Sequence, residues 1–209
     1  MAHTPDVCIR GGGIVGRTLA LLLARERLRV ALVAPASFVS PGHSDVRAYA
    51  LSATSRQLLE TVRGWPDAPA VTPITHMAVR GDAGGEIHFD AGEAGVEALA
   101  WMVDVPALEA RLAEAVRFQS LIELRESGGE APLTVICEGR MSQTRAELGV
   151  AFDVQAYPQH AIATRLRTER PHGGVAHQWF TDSEILAFLP LGGAQGQEVA
   201  VVWSVPAER

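Results

Sequence analysis

The first 33 residues show the pattern of a strand, a helix and a second strand. Residues 7–9 are a short apolar run, and three consecutive glycines follow it at 11–13. Residues 14–25 contain helix formers with leucines along one face, and a second apolar run at 30–33 ends close to a proline. Because strand–helix–strand units usually form parallel sheets, this pattern predicts an α/β fold at the start of the chain.

Later segments change from helical to strand-like spacing. Residues 52–62 and 106–116 carry apolar positions at helical spacing, with Ser52 as a predicted N-cap. Residues 77–80 and 86–89 flank a glycine-rich turn, which predicts a hairpin. A further apolar strand is predicted at 133–137. Four more strand-like runs, separated by Gly, Pro and Asp, predict an antiparallel sheet: 161–166, 175–180, 185–189 and 199–205.

The amino-acid composition of the chain argues against several classes of function. The 209 residues include 24 acidic and 18 basic side chains, so the net charge of -6 argues against a nucleic-acid partner. Every basic residue is arginine, which excludes Schiff-base lysine chemistry and the Walker lysine. Cys8 and Cys137 lie in apolar runs and are predicted to be buried, reduced thiols. No metal site is expected, because the histidines lack ligand spacing.

A glycine motif follows the first predicted strand. Gly11, Gly13 and Gly16 match G-x-G-x-x-G between a strand and a helix, which is typical of a dinucleotide pyrophosphate site. The alternative is a tight turn without a ligand. The second strand ends at Ala34, where such folds usually place an acid for the ribose. Arg10 either reaches a phosphate or the adenosine, or it marks a diverged site.

Several segments in a fixed order resemble one family. They are residues 6–20, 45–59, 101–109, 137–145 and 168–191, and they are distributed along nearly the whole chain. The chain resembles the N-terminal half of the flavoprotein aromatic-ring hydroxylases, in the branch that hydroxylates polyprenylated phenols in ubiquinone biosynthesis. This resemblance implies a Rossmann-like FAD-binding domain interleaved with an antiparallel β-sheet substrate domain.

The resemblance also implies site residues. The three motif glycines would hold the FAD pyrophosphate, and Arg47 would lie along the flavin, although a solvated loop arginine is the alternative. Glu138 and Gly139 stand where the family has an Asp-Gly motif linked to FAD and the nicotinamide cofactor; a helix-capping acid would look similar. Pro190 would face the flavin from the substrate side, or it is an ordinary turn residue after a strand.

The expected domains are discontinuous. The FAD-binding domain is predicted at 1–70 and 94–151, and the substrate domain at 71–93 and 152–209. The chain departs from the family at two positions. It lacks the acid expected after the second strand, near Ala34, and it has Pro106 where many members carry an arginine. A second Gly-Asp motif that the family places further on is also missing, so we expect an N-terminal portion that is inactive alone.

The implied function is that of an FAD-dependent monooxygenase. With NAD(P)H and oxygen, it would hydroxylate an aromatic, polyprenylphenol-like small molecule. The alternative is an inactive remnant of this fold that binds nucleotide weakly or serves as an interaction surface. A nicotinamide-dependent dehydrogenase is disfavoured by the strand-rich tail. The expected location is the cytoplasm, with contact to a membrane surface or a biosynthetic complex left open.

Overall fold

A computed structural model describes residues 4–34, 45–192 and 195–208. In chain order, the strands and helices are β1 (Val7–Arg10), α1 (Ile14–Arg25), β2 (Val30–Val33), β3 (Ala48–Leu51), α2 (Ala53–Thr61), a 3-10 turn (Ala68–Ala70), β4 (Val71–Ile74), β5 (His76–Gly81), β6 (Glu86–Asp90), β7 (Ala100–Asp104), α3 (Val105–Arg117), β8 (Ile122–Arg125), β9 (Leu133–Ile136), α4 (Gln143–Glu147), β10 (Gln159–Arg167), β11 (Val175–Phe180), β12 (Ile185–Pro190) and β13 (Glu198–Pro206).

The chain forms two compact units, each made of several segments. The described residues of Met1–His43, Leu58–Trp65 and Leu108–Val154 form unit 1. Those of Ser44–Gln57, Pro66–Ala107 and Gln155–Arg209 form unit 2. The division falls inside α2 and α3, so the two helices each contribute residues to both units.

Unit 1 contains a four-stranded parallel sheet in the order β8-β2-β1-β9. The central strands β1 and β2 are almost entirely buried, which explains why their sequences are continuous apolar runs rather than alternating ones. On α3, the side chains of Leu108, Leu112 and Val116 are buried at helical spacing. The parallel order brings the carboxyl ends of all four strands to one edge of the sheet, where ligands bind in such folds.

Unit 2 contains two sheets. Six strands follow the order β10-β13-β12-β11-β5-β6, and three follow β3-β7-β4. A hydrophobic core in this unit includes Ile74 of β4, Met102 of β7 and Ala176 of β11. The small alanine side chains on the inner face of the large sheet allow close packing, as Ala176 and Ala187 are both buried.

The predicted α/β fold class, with parallel and antiparallel sheets, is confirmed, and two details differ. Strand β5 pairs with β11 in parallel, so the large sheet is mixed rather than wholly antiparallel. A long connection separates these strands along the chain, and only a tight hairpin would force antiparallel pairing. Strand β4 pairs with β7 in the smaller sheet, whereas residues 71–93 were expected to join one sheet with the tail.

The two units also have other bounds than the expected domains. Residues 45–57 and 94–107 group with unit 2, because β7 pairs with both β3 and β4. Among the described residues, none of the helices is both long and apolar enough to cross a membrane.

Candidate functional site: the glycine loop and its neighbours

The first glycine of the motif turns the chain away from β1 beside β9. Gly11 has φ of +115°, a region that side chains rarely adopt. Its N–H donates to the carbonyl of Val33 at 3.0 Å. A Cβ at Gly11 would overlap the backbone carbonyl of Cys137, which follows β9. Glycine is therefore required here by both the dihedral angle and the close approach of two backbones.

The third glycine permits the tight packing of α1 on the loop. Gly16 lies in the first turn of α1 and is buried. A Cβ at this position would overlap the carbonyl oxygen of Gly11. This contact fixes the start of the helix against the glycine loop, as the motif requires.

The middle glycine has a different environment. Gly13 is the N-cap of α1, in an extended conformation that any residue can adopt. A Cβ at Gly13 would meet no heavy atom within 4 Å, so the protein itself does not need glycine there. Gly13 has no side chain to cap the helix, and none of the described residues supplies one, which leaves first-turn N–H groups available to an anion. The loop therefore fits a pyrophosphate group, with open space where the ligand would approach.

Glu138 caps a short helix at the same edge of the sheet. Its carboxylate accepts hydrogen bonds from Ser142 Oγ at 2.7 Å, and from the Thr144 N–H at 3.1 Å and hydroxyl at 2.6 Å. The hydroxyls of Thr144 and Ser142 are the main reason why the pKa of Glu138 lies below its usual value. The contact with the Thr144 N–H is of the kind that the capping alternative supposes, although the N-cap residue of α4 is Ser142. Gly139 follows with φ of +72° and is exposed. A role for either residue toward a cofactor stays a prediction.

Arg10 links the end of β1 to this capping acid. Its Nε lies 3.4 Å from Glu138 Oε1, within ion-pair range but without hydrogen-bond alignment. Its Nη1 lies 4.0 Å from Glu147 Oε2 on α4. About a third of the side chain is exposed, at 36%. The guanidinium therefore neutralises acids from the β9–α4 segment beside the glycine loop.

The position of the missing acid is well defined. The N–H of Ala34 donates to the carbonyl of Arg125 at 3.0 Å, which continues the β2–β8 pairing. A Cβ on Gly12 would overlap the Ala34 Cβ, so the Ala34 side chain lies directly against the glycine loop. A longer acidic side chain at 34 would start beside the loop, as the ribose contact of dinucleotide folds requires.

Unit 2 holds the other predicted residues. Arg47 forms an ion pair with Asp45, with Nη2 and Oδ2 2.6 Å apart, and about half of its side chain is exposed. Its backbone carbonyl accepts from Arg165 Nη2 at 2.9 Å and from the N–H of Val105 at 3.2 Å. The segment before β3 is therefore held by contacts to its backbone, whereas the Arg47 guanidinium is partly open to solvent.

Arg165 was not identified from the sequence. Its guanidinium lies 2.7 Å from Asp104 Oδ2, and its Nε donates to the carbonyl of Val46 at 3.0 Å. Asp104 also accepts from the N–H of Ala107 at 2.9 Å, which caps α3. Arg165 and its backbone partners are more than 110 residues apart, so no local spacing in the sequence indicates this link.

Pro190 ends β12 and pairs in register with Val199 of β13. Its side chain is fully buried, at less than 2% exposure. This burial suits the strand-end alternative, and the substrate-side role of Pro190 stays a prediction. The glycines and Glu138 thus belong to unit 1, whereas Arg47 and Pro190 belong to unit 2.

Comparison with curated proteins identifies relatives along nearly the whole chain. It is 30% identical to the 3-demethoxyubiquinol 3-hydroxylase of Escherichia coli, a match that covers 91% of this chain and 56% of the relative. It is 28% identical to the ubiquinone hydroxylase UbiL of Rhodospirillum rubrum, with 95% and 51% covered. The chain is thus similar in sequence to ubiquinone hydroxylases along nearly its whole length. It spans about half the length of the curated relatives it matches, and no protein-family model matches it.

Solved structures share the fold of this chain. PqsL of Pseudomonas aeruginosa, described as a probable FAD-dependent monooxygenase, matches with a TM-score of 0.76 at 18% identity. That match covers 99% of this chain and 62% of PqsL. The p-nitrophenol 4-monooxygenase PnpA of Pseudomonas putida matches with a TM-score of 0.72 at 18% identity, over 100% and 60%. The resemblance predicted from the sequence is confirmed.

Proposed function

We propose that this chain supplies the nucleotide-binding loop and part of the substrate sheet of an FAD-dependent aromatic monooxygenase. The observation that carries the proposal is the open space at Gly13 beside an uncapped helix start. Gly11 and Gly16 are required by the fold, whereas Gly13 is required only if another molecule approaches the loop. The relatives and the structural neighbours support FAD as that molecule.

The chain's own groups would bind and orient the cofactor. The first-turn N–H groups of α1 would donate to the pyrophosphate, and the helix dipole would favour its negative charge. Arg10 would stay paired with Glu138 and hold the loop at a fixed distance from the β9–α4 segment. When bound, FAD supplies the redox and oxygen chemistry that amino-acid side chains lack. We propose NAD(P)H as the source of electrons, on the basis of the family resemblance.

The proposed substrate is an aromatic small molecule of the polyprenylphenol type. The names of the relatives, which refer to ubiquinone, support this class. A second solved form of PqsL contains 2-aminobenzoylacetate, so an aromatic compound binds to that neighbour. The proposed substrate domain includes β11, β12 and β13 of unit 2, and Pro190 would lie on its flavin side.

Titration with ADP and with FAD tests the nucleotide site. A valine at Gly13 would block the pyrophosphate without a clash inside the protein, so Gly13→Val should abolish binding while the fold is kept. Gly128→Val is the matched control, because Gly128 also lies in unit 1 and a Cβ there meets nothing within 4 Å. Equal affinities in both variants and the unmodified chain would show that the glycine loop does not bind the nucleotide.

A second candidate is a fold that keeps the loop but binds nucleotide weakly and does not catalyse. Two observations favour it: Ala34 lacks the ribose-binding acid, and the Glu138 carboxylate is already used by three donors. The flavin content after purification and after loading with FAD separates the candidates. Absorbance near 450 nm with saturable FAD binding supports the monooxygenase proposal, and weak ADP binding without flavin supports the second candidate.

A further inference from the structure

Unit 1 contains a cavity of about 580 Å³ that the proposed nucleotide site does not use. Its wall includes Arg25 at the end of α1, Arg63 just after α2, and Arg111 and Glu114 on α3. Three arginines against one glutamate give these charged lining residues a net positive charge. The chain as a whole carries -6, so the cavity is a local reversal of sign. Its volume lies in the range of small-molecule sites.

Only part of this positive charge has a structural role. Arg25 donates through Nη1 to the carbonyl of Thr61, the last residue of α2, and so caps that helix. Arg111 places Nη1 2.9 Å from Glu114 Oε2, but its Nε is buried without a hydrogen-bond partner among the described residues. The Arg111 side chain is otherwise 39% exposed, so an acceptor from outside the chain can reach it from the cavity.

Arg63 provides the second indication. Its φ of +57° belongs to the backbone turn that ends α2, in which the N–H of Gly64 donates to the carbonyl of Leu59 at 2.8 Å. This turn explains the backbone of Arg63 but not its side chain, which is exposed and forms no ion pair in the part of the chain that the structure describes. Helix capping therefore accounts for Arg25 but leaves the charge of Arg63 and the Nε of Arg111 unexplained.

We propose that this cavity binds a phosphate group, with Arg63 and Arg111 as its direct ligands. Arginine presents planar, paired donors that match phosphate oxygens, and Arg111 Nε is already desolvated. Phe118 lines the same cavity and is 73% exposed, which places an apolar surface beside the charges. That combination suits a phosphate on an organic group, either a soluble organic phosphate or a phospholipid headgroup.

The test uses the chain with Gly13→Val, which removes the proposed pyrophosphate loop as a competing site. Calorimetric titration with inorganic pyrophosphate measures soluble phosphate binding, and co-sedimentation with phosphatidylglycerol vesicles measures headgroup binding. In that background, Arg63→Gln with Arg111→Gln is compared with Arg80→Gln and Arg170→Gln. The control pair lies in unit 2 and removes the same amount of charge.

The proposal expects saturable binding that is at least tenfold weaker in the Arg63/Arg111 variant and unchanged in the control. Loss of pyrophosphate binding identifies a soluble phosphate, and loss of vesicle binding alone identifies a headgroup. Absence of binding in both arms, or an equal loss in both variants, would overturn the proposal. If the double variant does not fold, Arg63→Gln alone decides, because this exposed side chain forms no ion pair or side-chain hydrogen bond among the described residues. Failure of the glycine-loop proposal would not affect these results.

Discussion

Single side chains at the edge of the parallel sheet lie where they would affect the proposed nucleotide binding. Ala34 lies against the glycine loop where dinucleotide folds place an acid, and the Glu138 carboxylate is engaged by Ser142 and Thr144. The loop itself is intact, but the acid that would hold the ribose is missing. Two substitutions separate these effects.

Ala34→Glu should strengthen binding of FAD and ADP. The new carboxylate would start beside the loop and accept from the ribose hydroxyls, which would gain about 1.5 kcal/mol, or about tenfold in affinity. Equilibrium titration compares it with Ala34→Gln, which has the same length but no charge. Unchanged binding, or an equal gain with glutamine, would indicate that Arg10 or another group already occupies that space.

Glu138→Gln should destabilise unit 1 by about 1 kcal/mol near pH 7, the usual size of a capping contribution. Donors surround both oxygens, and the amide nitrogen of glutamine cannot accept from them. Because the folded pKa of Glu138 is lowered, its contribution is present above the unfolded pKa of about 4.3 and is lost as the pH falls through the folded pKa.

Denaturant midpoints at pH 7 and at pH 3 measure this difference in stability. Glu130→Gln is the control, since Glu130 is an exposed loop acid in the same unit. The difference between Glu138→Gln and the unmodified chain should shrink at the lower pH. A difference of equal size at both pH values would contradict the capping role.

At the scale of elements, the two glycines at the start of α1 differ in how closely the protein packs against them. Gly16→Ala should destabilise the protein by at least about 2 kcal/mol, because its Cβ would overlap the Gly11 carbonyl. Gly13→Ala should cost less than about 1 kcal/mol, which is the cost of a poorer N-cap. Guanidinium unfolding measures both. Equal costs would mean that the helix start is not packed as described.

Elements with strong local patterns could be predicted from the sequence. The helix at 14–25 and the strand at 30–33 match α1 and β2, because α1 buries one face and the continuous apolar run of β2 is buried throughout. Strands β3 and β7 were missed. They are short, and their pairing depends on partners about 50 residues away, which no local pattern encodes. The parallel pairing of β5 with β11 was missed for the same reason.

The site was predictable to the extent that it depends on backbone geometry. The spacing of Gly11, Gly13 and Gly16 identified the loop, but only the structure shows that Gly13 alone is free of packing constraints. The link from Arg165 to the carbonyls of Val46 and Arg47 requires the folded arrangement of unit 2. Long-range polar contacts of this kind leave no periodic trace in the sequence.

At the scale of the whole molecule, the chain combines a parallel sheet that carries the glycine loop with a mixed β-sheet unit. That combination is the fold of the solved monooxygenases to which it is similar. The chain spans about half the length of its curated relatives, so the property that can be tested most directly on this chain is nucleotide binding by unit 1. We expect the glycine loop of this chain to bind a nucleoside diphosphate.

The most direct measurement is an NMR titration of the isotopically labelled chain with ADP. The account predicts saturable shifts of the backbone amides of residues 11–15, which form the loop and the uncapped first turn of α1. It also predicts that Gly13→Val abolishes these shifts while the remaining spectrum is retained. Saturable shifts confined to unit 2, or no shift in the glycine loop at saturating ADP, would contradict the account.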